Sequence, residues 1–414
     1  MTSATPPSPA PLAGIRVLDM SRVLAGPWGA QMLGDLGADV IKVERPGTGD
    51  ESRQFGPGFL HDRDGQKTRE SAFYISANRN KRSITVDLST DAGREIIRRL
   101  AVQSDILIEN YKVGTLKRQG LDYDSLRKIN PRLIYCSVTG YGQSGPYAAK
   151  PGYDAVFQAQ GGLMSVTGHR DGEPGAGPMK MGPSLVDIMT GYNVAIAVLA
   201  ALRTRETTGR GDYVDLALLD VAVAAMSHVT SQYLAAGVVM QRLGDNGNGG
   251  GPAQIVTCGD GRQLYMVAGN NDQFRRFAEA IERPDLPSEL LYESIVARGT
   301  NWTSLRAIID AAALTFTGEQ FERRLSAAGV PCGFVNNVAE VFADPQVQHR
   351  GLTVELDHPL SGEVKLIANP IRFQDSAIRY DRAPPTAGQH TEEVLREIGM
   401  LPEEIDRHRQ AGAI

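Results

Sequence analysis

The chain has 414 residues, 42% of them hydrophobic and 22% charged, with a formal net charge of −5 and a pI near 5.9. That length and apolar content exceed what one ordinary core organises and imply two domains, while the acidic balance argues against nucleic acid or an anionic membrane as the main partner. Cys136, Cys258 and Cys332 stand far apart with no CxxC pair, and the 7 histidines lack any ligand spacing such as HExxH; a disulfide framework and a metal site are therefore not expected, and a reducing cytoplasm fits best.

Residues 1–11, MTSATPPSPAP, have neither a basic start nor an apolar stretch and read as a disordered tail, not a signal peptide. Strand and helix patterns then alternate: IRVLDM (Ile15 to Met20), a helix from Pro27 to Leu36, DVIKVE (Asp39 to Glu44), SITVDL (Ser83 to Leu88), a helix from Asp91 to Gln103, DILIEN (Asp105 to Asn110) and LIYCSVTGY (Leu133 to Tyr141). This βαβ series predicts an α/β large domain over residues 12–221, built on a mostly parallel, Rossmann-like sheet. The loop LAGPWGAQ after the first strand lacks GxGxxG spacing, so a dinucleotide is not expected there. Ligands of such sheets bind beyond the carboxyl ends of the strands, a rim that gathers Leu24, Ala25, Arg45, Asn110, Arg118 and Tyr141.

The stretch from Thr139 to Asp187 concentrates chemistry. A Gly/Ser/Pro cluster stops the LIYCSVTGY strand, Tyr153 and Asp154 follow it, and the turn at Gly161 and Gly162 offers backbone amides that no side chain obstructs. The segment from Leu185 to Leu202 is apolar almost throughout, interrupted by Asp187, Tyr192 and Asn193, and predicts a buried core helix with Asp187 in its first turn. Ser184 followed three residues later by Asp187 resembles a capping box, in which the acid does no more than favour the helix dipole by ~0.3–1 kcal/mol. Its company of Tyr153, Asp154 and glycine amides is that of an acyl-transfer site. No GxSxG elbow is present, since Ser144 sits in GYGQSGP.

Beyond Asp220 the pattern changes to a helix, a glycine run (Asp245 to Pro252), and a mixture of one short strand, RQLYMVAG, with helices, which predicts a smaller α/β domain over residues 222–335. Residues 336–414 carry two strand patterns, LTVELDHP and EVKLIANP, and a final helical pair.

LAGIRVLDMSRVLAGPWGAQMLGDLGADVIKVERPGTGD (Leu12 to Asp50), SANRNKRSITVDL, ENYKVGTLKRQGLDY, TGYGQSGP, ALRTRETTGRGDYVDLALLD, VPCG and GQHTEEVLREIG, in this order, resemble the family III CoA-transferases over nearly the whole chain. The resemblance implies that Asp187 is the nucleophile, passing through a mixed anhydride and an aspartyl-CoA thioester, with Tyr153, Asp154 and a mobile loop at Gly249, Gly250 and Gly251 in support. It implies CoA contacts at Leu24, Ala25, Arg45, Val86, Asn110, Arg118 and Tyr141. It further implies coenzyme A as substrate with no other cofactor, residues 336–414 returning to the large domain, and an interlocked homodimer. An α-methylacyl-CoA racemase shares the fold but carries a histidine in a GHD motif; here the residues are Gly152, Tyr153 and Asp154, and tyrosine, with a pKa near 10, is a poor base at neutral pH. A CoA-binding protein without activity would keep Arg45 and Arg118 but would not need Asp187. Within the family, ESAFYISANRNKRS, the Val330 to Val347 segment and Phe55 look closer to the succinyl-CoA:glutarate type than to formyl-CoA transferase. That implies C4 to C6 dicarboxylates as donor and acceptor acids. A second carboxylate on the acceptor needs a cation, because burying it unpaired costs several kcal/mol; Arg22, Arg53 and His228 are the candidates.

Overall fold

The computed structural model describes residues 10–247 and 251–414, which divide into two compact units. The first comprises residues 10–163, 181–231 and 350–414; the second comprises residues 164–180 and 232–349 outside the glycine run. These limits differ from the sequence boundaries in three places. Residues 164–180 leave the first unit, residues 222–231 stay in it, and residues 336–349 belong to the second. Residue 10 also differs from a disordered tail, since Ala10 is 7% exposed and packs where a side chain on Gly37 would sit.

The first unit is organised by six strands: β1 (Arg16–Asp19), β2 (Asp39–Glu44), β3 (Lys81–Thr85), β4 (Ile106–Glu109), β5 (Ile134–Thr139) and β6 (Tyr213–Ala217). All pairings are parallel, in the spatial order β3-β2-β1-β4-β5-β6. β4 and β5 are buried at every position, as expected for strands covered on both faces. β6 escapes the sequence pattern because YVDLA at the sheet edge is only partly buried. The chain order reverses between β1 and β4, and this switch point is where open α/β sheets bind ligands.

Three helices frame that point: α1 (Ala25–Asp35), α2 (Asp154–Gln160) and α3 (Leu185–Thr208). α3 is a core helix on one stripe only. Val186, Thr190, Val194, Ala195 and Val198 are buried, whereas Ile196 is 63% exposed. α1 and α3 cross closely because Gly29 and Gly191 face each other's helix. A Cβ on Gly191 would lie 2.8 Å from both the Ala25 carbonyl oxygen and Trp28 Cδ1, and one on Gly29 would lie 2.7 Å from Val194. The second unit is built on an antiparallel sheet, Cys332–Phe334, Gln263–Val267 and Ala253–Thr257, whose core includes Leu264, Met266, Phe274, Phe277 and Phe321.

Across β1, β2 and β3 lies a layer of buried charge. Lys42, on β2, bonds the Asp50 carboxylate at 2.8 Å and the Ser21 carbonyl at 3.0 Å. Lys81, on β3, bonds Asp19 at 2.8 Å and the Pro27 carbonyl at 2.9 Å. Arg53 pairs with Glu44 at 2.7 Å and Glu70 at 2.5 Å and lies 3.7 Å over the Tyr74 ring. Arg53 is thus 4% exposed and spent on two carboxylates, which corrects its expected role as a cation for the acceptor acid.

The helix crossing yields a test. Gly191→Ala gains up to ~1 kcal/mol of helix propensity, but its methyl meets backbone that cannot swing away, and overpacking of this kind costs about 1–3 kcal/mol. The variant is expected to unfold at lower urea concentration than wild type; an equal or higher midpoint contradicts the close crossing.

Candidate active site

Two neighbouring cavities at the carboxyl edge of the sheet, both within the first unit, hold most of the expected residues. One, of about 480 Å³, sits at the switch point and is lined by Arg22, Leu24, Ala25, Asn110, Arg118, Tyr153, Asp154 and Asp187. The other, of about 400 Å³, lies over β2 and β3 and is lined by Arg45, Val86, Asp87 and Gly49. Arg22, Glu51 and Tyr111 border both, so the two lie side by side along the rim.

Asp187 stands in the first turn of α3, and the cap of that helix is not Ser184, which makes no side-chain capping bond. The cap is Asp154, from α2. Its Oδ1 accepts the Val186 and Asp187 amides at 2.8 and 3.2 Å, and its Oδ2 accepts Gln158 Nε2 at 2.6 Å. The capping box is corrected accordingly: a carboxylate 33 residues upstream satisfies the orphan amides, leaving the Asp187 side chain on the cavity wall. Burial, and second the charge of Asp154, push the Asp187 carboxyl up from 3.8 to about 7. The helix N-terminus favours an anion by less than that.

The other expected residues divide. Leu24, Ala25 and Arg118 line the reactive cavity, with Arg118 donating to Thr115 Oγ1 at 3.3 Å. Arg45 and Val86 line the neighbouring one. Asn110 borders the reactive cavity with its amide engaged, since Oδ1 accepts the Arg22 N–H at 2.9 Å and Nδ2 donates to the Arg22 carbonyl at 2.8 Å. Tyr141 lines neither of these two cavities. Its hydroxyl donates to Gln160 Oε1 at 2.7 Å and its ring packs edge-on against Tyr147 and Phe157. The Gly161 amide is also corrected as an unobstructed donor, because it closes α2 on the Phe157 carbonyl at 2.8 Å. His228 is exposed on the helix His228–Ala236 and borders neither cavity. Gly249 and Gly250 lie outside the described residues. Gly251 belongs to the second unit, where its carbonyl accepts Arg298 Nε at 2.8 Å.

Of the three acceptor candidates Arg22 remains at the reactive rim, 3.9 Å from Glu51 and 5.0 Å over the Tyr111 ring. Tyr111, Lys112 and Lys150 share this cavity without a mark in the sequence; Asp50 lines the neighbouring one, from which it holds the Val23 N–H. The signal for Asp50 was present: Lys42 inside the otherwise apolar strand DVIKVE demands a buried counter-ion. Among the described residues no group of His, Cys, Asp or Glu is arranged to hold a metal ion.

A carboxylate at a switch-point cavity, framed by arginines suited to phosphates, is an arrangement for acyl or CoA chemistry. Residues 12–391 match the family model CoA-transferase family III. The chain belongs to that family and is a CoA-transferase. It is 41% identical to the succinate–glutarate CoA-transferase of Agrobacterium fabrum, across 94% of this chain and 96% of the relative. It is 39% identical to the succinyl-CoA:glutarate CoA-transferase of Homo sapiens, across 94% and 86%. A solved CaiB/BaiF family protein from Brucella suis superposes with a TM-score of 0.85 at 39% identity, covering 94% of this chain and all of that one.

The raised carboxyl sets a pH dependence. The unfolded chain releases the Asp187 proton near 3.8, and the folded one holds it to about 7. The folded state therefore binds more protons in between, and stability falls as pH rises from about 4 to 7. Asp187→Asn removes this slope. Its melting temperature is expected to gain on wild type progressively from pH 4.5 to pH 8, as read by differential scanning fluorimetry. Burial also pushes Glu109 to about 7, but it is common to both proteins and cancels in the difference. A constant difference across that range contradicts the assignment of the shift to Asp187.

Proposed function

We propose that the protein moves CoA from succinyl-CoA to a C4 to C6 dicarboxylate such as glutarate, with Asp187 as the covalent relay. The observation that carries the reading is the shared cavity: the Asp187 carboxylate, freed from capping, and the cations Arg22, Lys112, Arg118 and Lys150 line the same pocket at the sheet's switch point. The names of the relatives at 41% and 39% identity support the acids chosen.

In this mechanism the Asp187 carboxylate attacks the succinyl thioester carbonyl, forming an anhydride and expelling the CoA thiolate. The thiolate attacks the aspartyl carbonyl, releasing succinate and leaving an aspartyl-CoA thioester. Glutarate then attacks that thioester to give a second anhydride, and the thiolate takes the glutaryl group, restoring the carboxylate. Each bond broken is replaced by another activated acyl bond, so one difficult exchange becomes several nearly isoenergetic ones. Water must be kept from the anhydrides. The raised pKa is consistent with the task, since a poorly solvated carboxylate is a stronger nucleophile; it must be ionised to act, so the acid limb of the rate profile falls near pH 7.

CoA would lie along the rim, its nucleotide over Val86 with Arg45 and Arg118 at phosphates, its thioester arm passing Leu24 and Ala25 towards Asp187. Arg22 would take the acceptor's distal carboxylate. Tyr153, 69% exposed, would border the entry of the acyl group. A homodimer is part of the proposal, supported by the apolar face of α3 and the following helix, where Ile196, Leu199 and Val223 are exposed.

Glutarate is expected to accept CoA from succinyl-CoA faster than oxalate, acetate or carnitine; transfer to oxalate or carnitine alone would overturn the acceptor class. Asp187→Ala should lose on the order of 10³-fold or more in turnover. Arg22→Ala should raise KM for glutarate with little change in KM for succinyl-CoA. Arg53→Ala should act through folding, because two buried carboxylates lose their partner at a cost of about 3–5 kcal/mol.

A further inference from the structure

We propose that Asp50 is a positioning residue for CoA transfer: it holds Val23 in the left-handed turn that presents Arg22 and Leu24 to the reactive cavity. The role of Arg22 rests on the acceptor reading above; the turn itself does not.

Val23 has φ +70°, a region that a β-branched side chain enters only when its surroundings force it. What forces it is visible on both sides. The Arg22 peptide is fixed from β4, where the Asn110 amide takes its N–H and its carbonyl at 2.9 and 2.8 Å. The Val23 N–H is fixed from the segment after β2, where it points into the Asp50 carboxylate at 3.2 and 3.3 Å from the two oxygens. The strained residue therefore spans the switch point, tied to the strands on either side of β1.

Asp50 is built to stay in place and charged. It is 1% exposed, bonded to Lys42 at 2.8 Å and to the Ser52 amide and hydroxyl at 2.9 and 2.8 Å, while its own amide donates to Glu44 at 2.8 Å. Burial alone would raise its carboxyl, but Lys42 and Ser52 bring it down to about 2. Released from Asp50, Val23 relaxes to negative φ and rotates the adjoining peptide. That takes Arg22 off the rim it shares between the two cavities and shifts Leu24, the residue that leads into α1.

Glycine separates this role from a merely structural one, because glycine takes φ near +70° unaided. Asp50→Ala is expected to lower kcat/KM for succinyl-CoA to glutarate transfer about tenfold or more, mainly through KM for glutarate. Adding Val23→Gly is expected to restore it to within about threefold of wild type. If Asp50→Ala does not fold, Asp50→Leu, which keeps the shape and cannot accept the Val23 N–H, enters the same cycle. A double variant no better than the single, or a single variant with unaltered kcat/KM, overturns the proposal. Arg22→Ala measured beside them keeps the two ideas apart: unchanged glutarate KM there overturns the acceptor assignment, while glycine rescue still decides the turn.

Discussion

The architecture of the reactive edge depends on charge buried beneath it. Lys42 and Lys81 are fully buried on neighbouring strands and spend their donors on Asp50, Asp19, and the carbonyls of Ser21 and Pro27. Exchanging such pairs for apolar residues is often neutral in stability, whereas removing one partner costs about 3–5 kcal/mol. Their contribution here is therefore shape. Four fixed points along Asp19 to Pro27 leave the loop after β1 one conformation, including a residue that would not choose it. α1 starts from that loop, α3 crosses α1 at two glycines, and Asp187 takes its position from α3.

At Asp187 two requirements oppose each other. The first turn of α3 needs an acceptor for its amides, and Asp154 supplies it. The same carboxylate, placed so close, raises the proton affinity of Asp187 together with burial. One residue thereby frees the other from capping and makes its ionisation costly. Ser184 in the capping position would have met the first requirement without the second.

Much of this was legible in the chain. Four of the five strands expected from Ile15 to Tyr141 announce themselves as apolar runs because a parallel sheet covered on both faces needs them. β3 runs from Lys81 to Thr85 instead of Ser83 to Leu88, since its first residues, Lys81 and Arg82, are buried against carboxylates. Asp187 stands out as a charge in an apolar helix. The sixth strand did not, since an edge strand with Asp215 at its centre lacks the pattern. Arg53 and Arg22 look alike in sequence; only folding brings Glu44 and Glu70 to one and leaves the other at the rim. Tyr141 sits after a strand, as a ligand residue would, yet turns its ring into Phe157. Long-range partners decided each of these, and they are set by topology, not by neighbours in the chain. The excursion of residues 164–180 into the second unit left no composition signal for the same reason.

The covalent relay is tested most directly by oxygen isotope. When glutarate carrying ¹⁸O in its carboxylates accepts CoA from succinyl-CoA, the anhydride route leaves one labelled oxygen in the side chain of Asp187 at the end of a turnover. Mass spectrometry of the peptide containing Asp187 is expected to find that label, and succinate released in later turnovers to carry it too. An unlabelled Asp187 after many turnovers would contradict it.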